Sequence, residues 1–111
     1  MIIAQLRPRN TSVNVLYSRL NEAEVLDSVY VCNTSNGTIR YSIYIDKAGR
    51  RFNKNTAIVY NLELEAFDVD LFPLTVLGAT LSGNEAIAVR TTVARAVTFT
   101  LMGRNYRESI T

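Results

Sequence analysis

The sequence predicts an all-β protein, a two-sheet β-sandwich of jelly-roll type with about eight antiparallel strands. Three observations predict it. Apolar residues recur at every second position in several segments, the period of a half-buried strand. Val, Ile, Thr, Tyr and Asn are abundant, a mix that favours strands joined by turns. Turn signals arrive roughly ten residues apart, and no amphipathic helix is available to cover an apolar sheet face, so a second sheet must do so. An immunoglobulin-like sandwich is the second choice of architecture.

The elements follow in chain order. Residues 2–6 form an edge strand. Residues 13–19 carry Val13, Val15 and Tyr17 on one face. Residues 25–34 are almost continuously apolar, as in a strand covered on both sides or one whose second face meets a partner. Ser35-Asn36-Gly37 follows as a hairpin signal, because Asn and Gly both tolerate positive φ. Residues 38–46 alternate cleanly, with Ile39, Tyr41, Ile43 and Ile45 against Arg40, Ser42, Tyr44 and Asp46. Lys47-Ala48-Gly49-Arg50 reverses the chain. Residues 57–65 repeat the pattern, with Ile58, Tyr60, Leu62 and Leu64 opposite Asn61, Glu63 and Glu65. Asp68-Val69-Asp70 marks a reversal, and residues 71–77 contain Pro73, which removes a ladder donor and points to an edge or a bulge. Residues 77–81 form a strand fragment or a bend, and Ser82-Gly83-Asn84 a turn. Residues 86–93 place Ile87 and Val89 inward, and Val97, Phe99 and Leu101 alternate with Thr98 and Thr100.

With 111 residues the chain is one domain, 1–111, without linker, low-complexity stretch or internal repeat. Such a domain holds a core without metals or disulfides. The apolar fraction of 48% and charged fraction of 20% are those of a globular protein. The net charge of +2 is spread along the chain. Its densest basic stretch, Lys47, Arg50, Arg51 and Lys54, with Arg40 upstream, is the solvated end of a hairpin and not a nucleic-acid patch. Residues 1–9 lack the apolar core of a signal peptide, and no apolar run approaches the ~20 residues that cross a bilayer. The expectation is a reducing cytoplasm, and no membrane partner.

Reactive groups are scarce. Histidine is absent, which removes Ser-His-Asp and Cys-His systems and the commonest zinc ligand. Cys32 is the single cysteine, expected as a packed thiol. The glycines are too dispersed for a phosphate loop. Glu63 and Glu65 share a strand face, which is the wet face of a strand and lacks the apolar pocket that raises a carboxyl pKa. Asp68 and Asp70 match no calcium loop. Asn10, Asn33 and Asn36 each open an Asn-x-Ser/Thr triplet and are read as turn residues, Asn33 tying down the coming turn. No catalytic residue, metal or cofactor is expected. What remains is a binding surface, for which Tyr30, Arg40 and Tyr44 are the candidates, since Tyr and Arg are enriched at interface centres.

Leu16-Tyr17, then Val29-Tyr30-Val31-Cys32-Asn33-Thr34-Ser35, form a pattern continued by Tyr60, by Leu77-Gly78-x-x-Leu81-Ser82 leading to Ile87, by Phe99-x-x-x-Gly103 and by the terminal Ile110-Thr111. From about Ser12 onward this resembles a group of short β-sandwich virion proteins of tailed bacteriophages, many of them cyanophages. One departure is that Ser18-Arg19-Leu20-Asn21-Glu22 stands where that group carries a Val-Pro turn, so the first connection differs in shape. The resemblance implies a virion structural protein without catalytic residues. It implies a capsid decoration (cement) protein, a homo-oligomer of trimer type bound to the major capsid protein and assembled in the host cytoplasm. The alternatives are a tail, baseplate or fibre-attachment subunit, and a carbohydrate-binding jelly roll used in host attachment.

Overall fold

A computed structural model describes residues 1–18, 24–48, 50–74, 80–81 and 85–105. The strands are β1 (Ile2–Leu6), β2 (Asn14–Ser18), β3 (Glu24–Asn33), β4 (Ile39–Asp46), β5 (Ala57–Leu64), β6 (Val69–Pro73), β7 (Thr80–Leu81), β8 (Ala86–Thr91) and β9 (Val97–Asn105). Among the described residues there is no helix.

Two sheets form. The first, sheet A, runs β1-β9-β3-β6, with short β7 also on β3; the second, sheet B, runs β2-β8-β4-β5. Every pairing is antiparallel. Setting the two-residue β7 aside, the eight long strands have the order 1-8-3-6 in one sheet and 2-7-4-5 in the other. That is the interleaving of a jelly roll, in which consecutive strands keep crossing between layers. Among the long strands only β4 and β5 follow each other within one sheet.

The alternating positions build the core between the layers. Val29 and Val31 of β3, Val97, Phe99 and Leu101 of β9, Ile87 and Val89 of β8, and Ile39, Tyr41 and Ile43 of β4 are all buried in it. Burying one such side chain contributes about 1.5–3 kcal/mol. Tyr41 and Phe99 meet edge to face across the two sheets, with ring centroids 6.1 Å apart.

Four expectations need correction. Asn36-Gly37 does not close a hairpin: β3 lies in sheet A and β4 in sheet B, and Asn36 is not in the left-handed region. The corner is instead tied by buried Asn33. Its Nδ2 donates to the carbonyls of Gly37 (2.8 Å), Leu64 (3.2 Å) and Glu65 (3.0 Å), and its Oδ1 accepts from the Ser35 N–H and hydroxyl. In β5 the even-numbered face is broken by a bulge: Asn61 has φ 49° and the register with β4 shifts. Val59 and Leu64 therefore face the core while Tyr60 and Leu62 are exposed. In β2 a shift between Val15 and Tyr17 buries Leu16 and leaves Val15 exposed. The reversal expected at Asp68-Val69-Asp70 falls earlier, where the Asp68 N–H donates to the Glu65 carbonyl, and Val69 already begins β6. Gly49, Ser82-Gly83-Asn84 and residues 75–79 lie outside the described residues.

Candidate interaction surfaces

Tyr30, Arg40 and Tyr44 do not share a surface. Tyr30 lies in β3, whose inward positions are Val29 and Val31, so its ring projects from the outer face of sheet A and is 45% exposed. Arg40 is exposed on the outer face of sheet B. There its guanidinium donates to the Asn61 carbonyl (3.1 Å) and stands 3.8 Å from the Glu63 carboxylate. Both partners of that ion pair are more than half exposed, so it adds little to stability. Tyr44 also faces outward from sheet B, yet it is only 1% exposed. Phe52, from the loop between β4 and β5, packs edge-on against it with ring centroids 6.5 Å apart. That loop is held in turn by Asp46, whose carboxylate accepts the N–H groups of Arg51 (2.9 Å) and Arg50 (2.8 Å). These bonds pull the Asp46 carboxyl below its ordinary range. Tyr44 is thus part of the protein's own packing and is removed from the candidate surface.

The outer face of sheet A has no such cover among the described residues. Register places Leu71 directly opposite Tyr30 and Val69 opposite Cys32. On the other side of β3, Thr100 and Thr98 face the same two residues. Leu71 and Val69 are 55% and 52% exposed, and Phe67, two residues before Val69, is 69% exposed. Phe67 sits at φ 59°, a conformation costly for a bulky residue. Cys32 is half-buried on this face and not in the core, which corrects the expectation of a packed thiol. In the middle of the face, across β9, β3 and β6, no side chain is charged. The charges begin at one end with Asp27 and Arg104, which pair with each other at 4.0 Å.

The open edge beside this face is partly protected against a further strand. The Asn33 N–H donates to the Asp68 carbonyl and the Leu74 N–H to the Asp27 carbonyl. By antiparallel alternation, the backbone groups of Val69, Leu71 and Pro73 then point away from β3. The Val69 N–H is taken by the Asp68 carboxylate at 2.8 Å, and Pro73 has none. Both are devices that protect a sheet edge.

The remaining polar groups do not converge. The Asp70 carboxylate accepts the Tyr41 hydroxyl at 2.9 Å, Asp68 is used as above, and Glu63 and Glu65 are exposed on the strand edge. Among the described residues no group of three His, Cys, Asp or Glu side chains is placed to hold a metal ion. Lys54 lies with its ammonium 5.7 Å from the Tyr60 ring centroid. No described helix is long and apolar enough to cross a membrane.

No protein-family model matches the chain, and no curated protein matches it. Among solved structures it is similar to the Anabaena sensory rhodopsin transducer, over 85% of this chain and 88% of that one, at 10% identity and a TM-score of 0.42. A likeness of that degree carries no argument about function.

Proposed function

We propose that this chain is a non-enzymatic structural protein of a tailed-bacteriophage virion, a capsid decoration protein that binds copies of itself and the major capsid protein. The observation that carries the reading is the outer face of sheet A. It is a broad sheet surface, apolar and hydroxyl-bearing, with Tyr30, Leu71 and Val69 standing exposed on it. The largest apolar patch of a protein surface is often a site of contact with another protein. The sequence pattern around Val31-Cys32-Asn33-Thr34-Ser35 supplies the phage assignment, and the jelly-roll strand order is compatible with it, although the fold alone hosts many functions.

Quantitative mass spectrometry of purified virions tests the reading. A decoration protein is present at copy numbers comparable to the major capsid protein, and its removal weakens the shell. A few copies per particle would move the assignment to the tail or baseplate, and its absence from particles would end it.

A further inference from the structure

We infer that the outer face of sheet A is the surface through which two copies of this chain meet, sheet against sheet, about a two-fold axis. The inference deepens the reading of the chain as an assembling structural protein and rests on it for the biological use of the contact. The argument for the surface itself is physical.

Charge selects the occupant. The middle of the face carries no charged side chain, while the opposite sheet presents Arg40, Glu63 and Arg90 outward. A charged partner surface would be desolvated here without a counter-ion, at a cost its binding would not recover. The occupant must be uncharged in the same places, and this face is itself such a surface. Its polar groups, the Tyr30, Thr98 and Thr100 hydroxyls, can each donate a hydrogen bond and accept one, Thr100 already accepting from Gln5 Nε2 at 2.9 Å. They can therefore be satisfied by their own symmetry mates. The edge devices at Asp68 and Pro73 disfavour, at the β6 edge, the other sheet-based mode, addition of a strand from a partner. What is left is face-to-face packing of the kind found inside sandwiches, with sheets ~10 Å apart.

Size sets the strength. Three to four strands at ~4.8 Å spacing, each about five residues long at ~3.4 Å per residue, give a flat footprint of roughly 250–330 Å² on each copy, below the standard interface and in the range of weak, transient contacts. The association is accordingly reversible and concentration-dependent. A face that meets the same face of a second copy is isologous and closes at two. The three-fold implied by the phage resemblance would instead need two different surfaces.

Sedimentation equilibrium of the full chain, from low micromolar to submillimolar concentration, tests this with three variants and a thiol probe. The expected result is a monomer–dimer equilibrium that Leu71→Lys and Tyr30→Lys each weaken at least about tenfold, because an isologous contact buries each new charge twice against an uncharged face. Both residues are exposed, so the variants keep the circular dichroism spectrum of the parent. Arg40→Glu, on the opposite sheet, leaves the equilibrium unchanged. Reaction of Cys32 with a maleimide slows several-fold as the dimer forms. A monomer at every concentration, a trimer, or a dimer indifferent to both Lys variants would overturn the inference. So would Cys32 protection that does not vary with concentration, which would mean that the chain's own carboxyl-terminal segment covers the face. None of these results bears on whether virions contain the protein, which the particle measurement decides separately.

Discussion

Tyr41 combines a core role with a polar one. Its ring packs on Phe99 while its hydroxyl reaches the Asp70 carboxylate. Burial first, then the hydrogen bond and charge of Asp70, push the phenol above its ordinary value near 10. The folded state therefore holds this proton more tightly than the unfolded state does. The stability linked to it is fully present below pH ~10 and is lost as the pH rises further. Tyr41→Phe is expected to cost about 1 kcal/mol at neutral pH, the worth of one hydrogen bond. It should also remove part of the stability loss seen above pH 10. Urea unfolding of the two proteins at neutral and alkaline pH measures both effects. Equal alkaline sensitivity in the two would show that the Tyr41 proton is not the source. The same residue shows what alternation can reveal: its inward direction follows from Ile39 and Ile43, whereas its partner Asp70, 29 positions away, leaves no local trace.

At the scale of elements, alternation was legible wherever a strand runs without interruption. Val97, Phe99 and Leu101 of β9 and Ile87 and Val89 of β8 face the core as their spacing predicts. It failed where one extra residue enters a strand, because a single insertion moves every following side chain to the other face. Asn61 and the shift beside Val15 are of this kind. Asn36-Gly37 failed differently. That dipeptide reports a local change of direction, and nothing local says which sheet the next strand joins. Gly103 gives the element scale its prediction. A Cβ built there would stand 2.5 Å from the Val25 carbonyl oxygen and 3.1 Å from Ile3 Cγ1, so β9 approaches β3 as closely as it does only because no side chain intervenes. The oxygen is backbone and cannot turn aside. Gly103→Ala should destabilise the protein by about 1–3 kcal/mol through overpacking, read as a lower urea midpoint. A midpoint unchanged or raised would mean that β9 is free to shift at this position.

For the whole molecule, the sequence made the two-layer architecture visible but only half of the candidate surface. Tyr30 was found because it interrupts the inward set of β3. Val69 and Leu71 were hidden, since Asp68 and Asp70 around them look like turn residues until β6 is seen paired to β3. The burial of Tyr44 leaves no sign in the sequence, because Phe52, which packs against it, comes from an irregular loop with no periodicity to follow. The almost continuous apolarity of β3 divides between two faces: its inward residues fill the core, and its outward Tyr30 stands exposed. On the proposed reading, this outward face of sheet A holds the protein in its assembly. A reconstruction of the virion at a resolution that traces strands would decide it. The expected result is jelly-roll density in which the β9-β3-β6 face, with Tyr30 and Leu71, is buried against a second copy. Density in which that face lies open to solvent while the Arg40 side makes the contacts would contradict it.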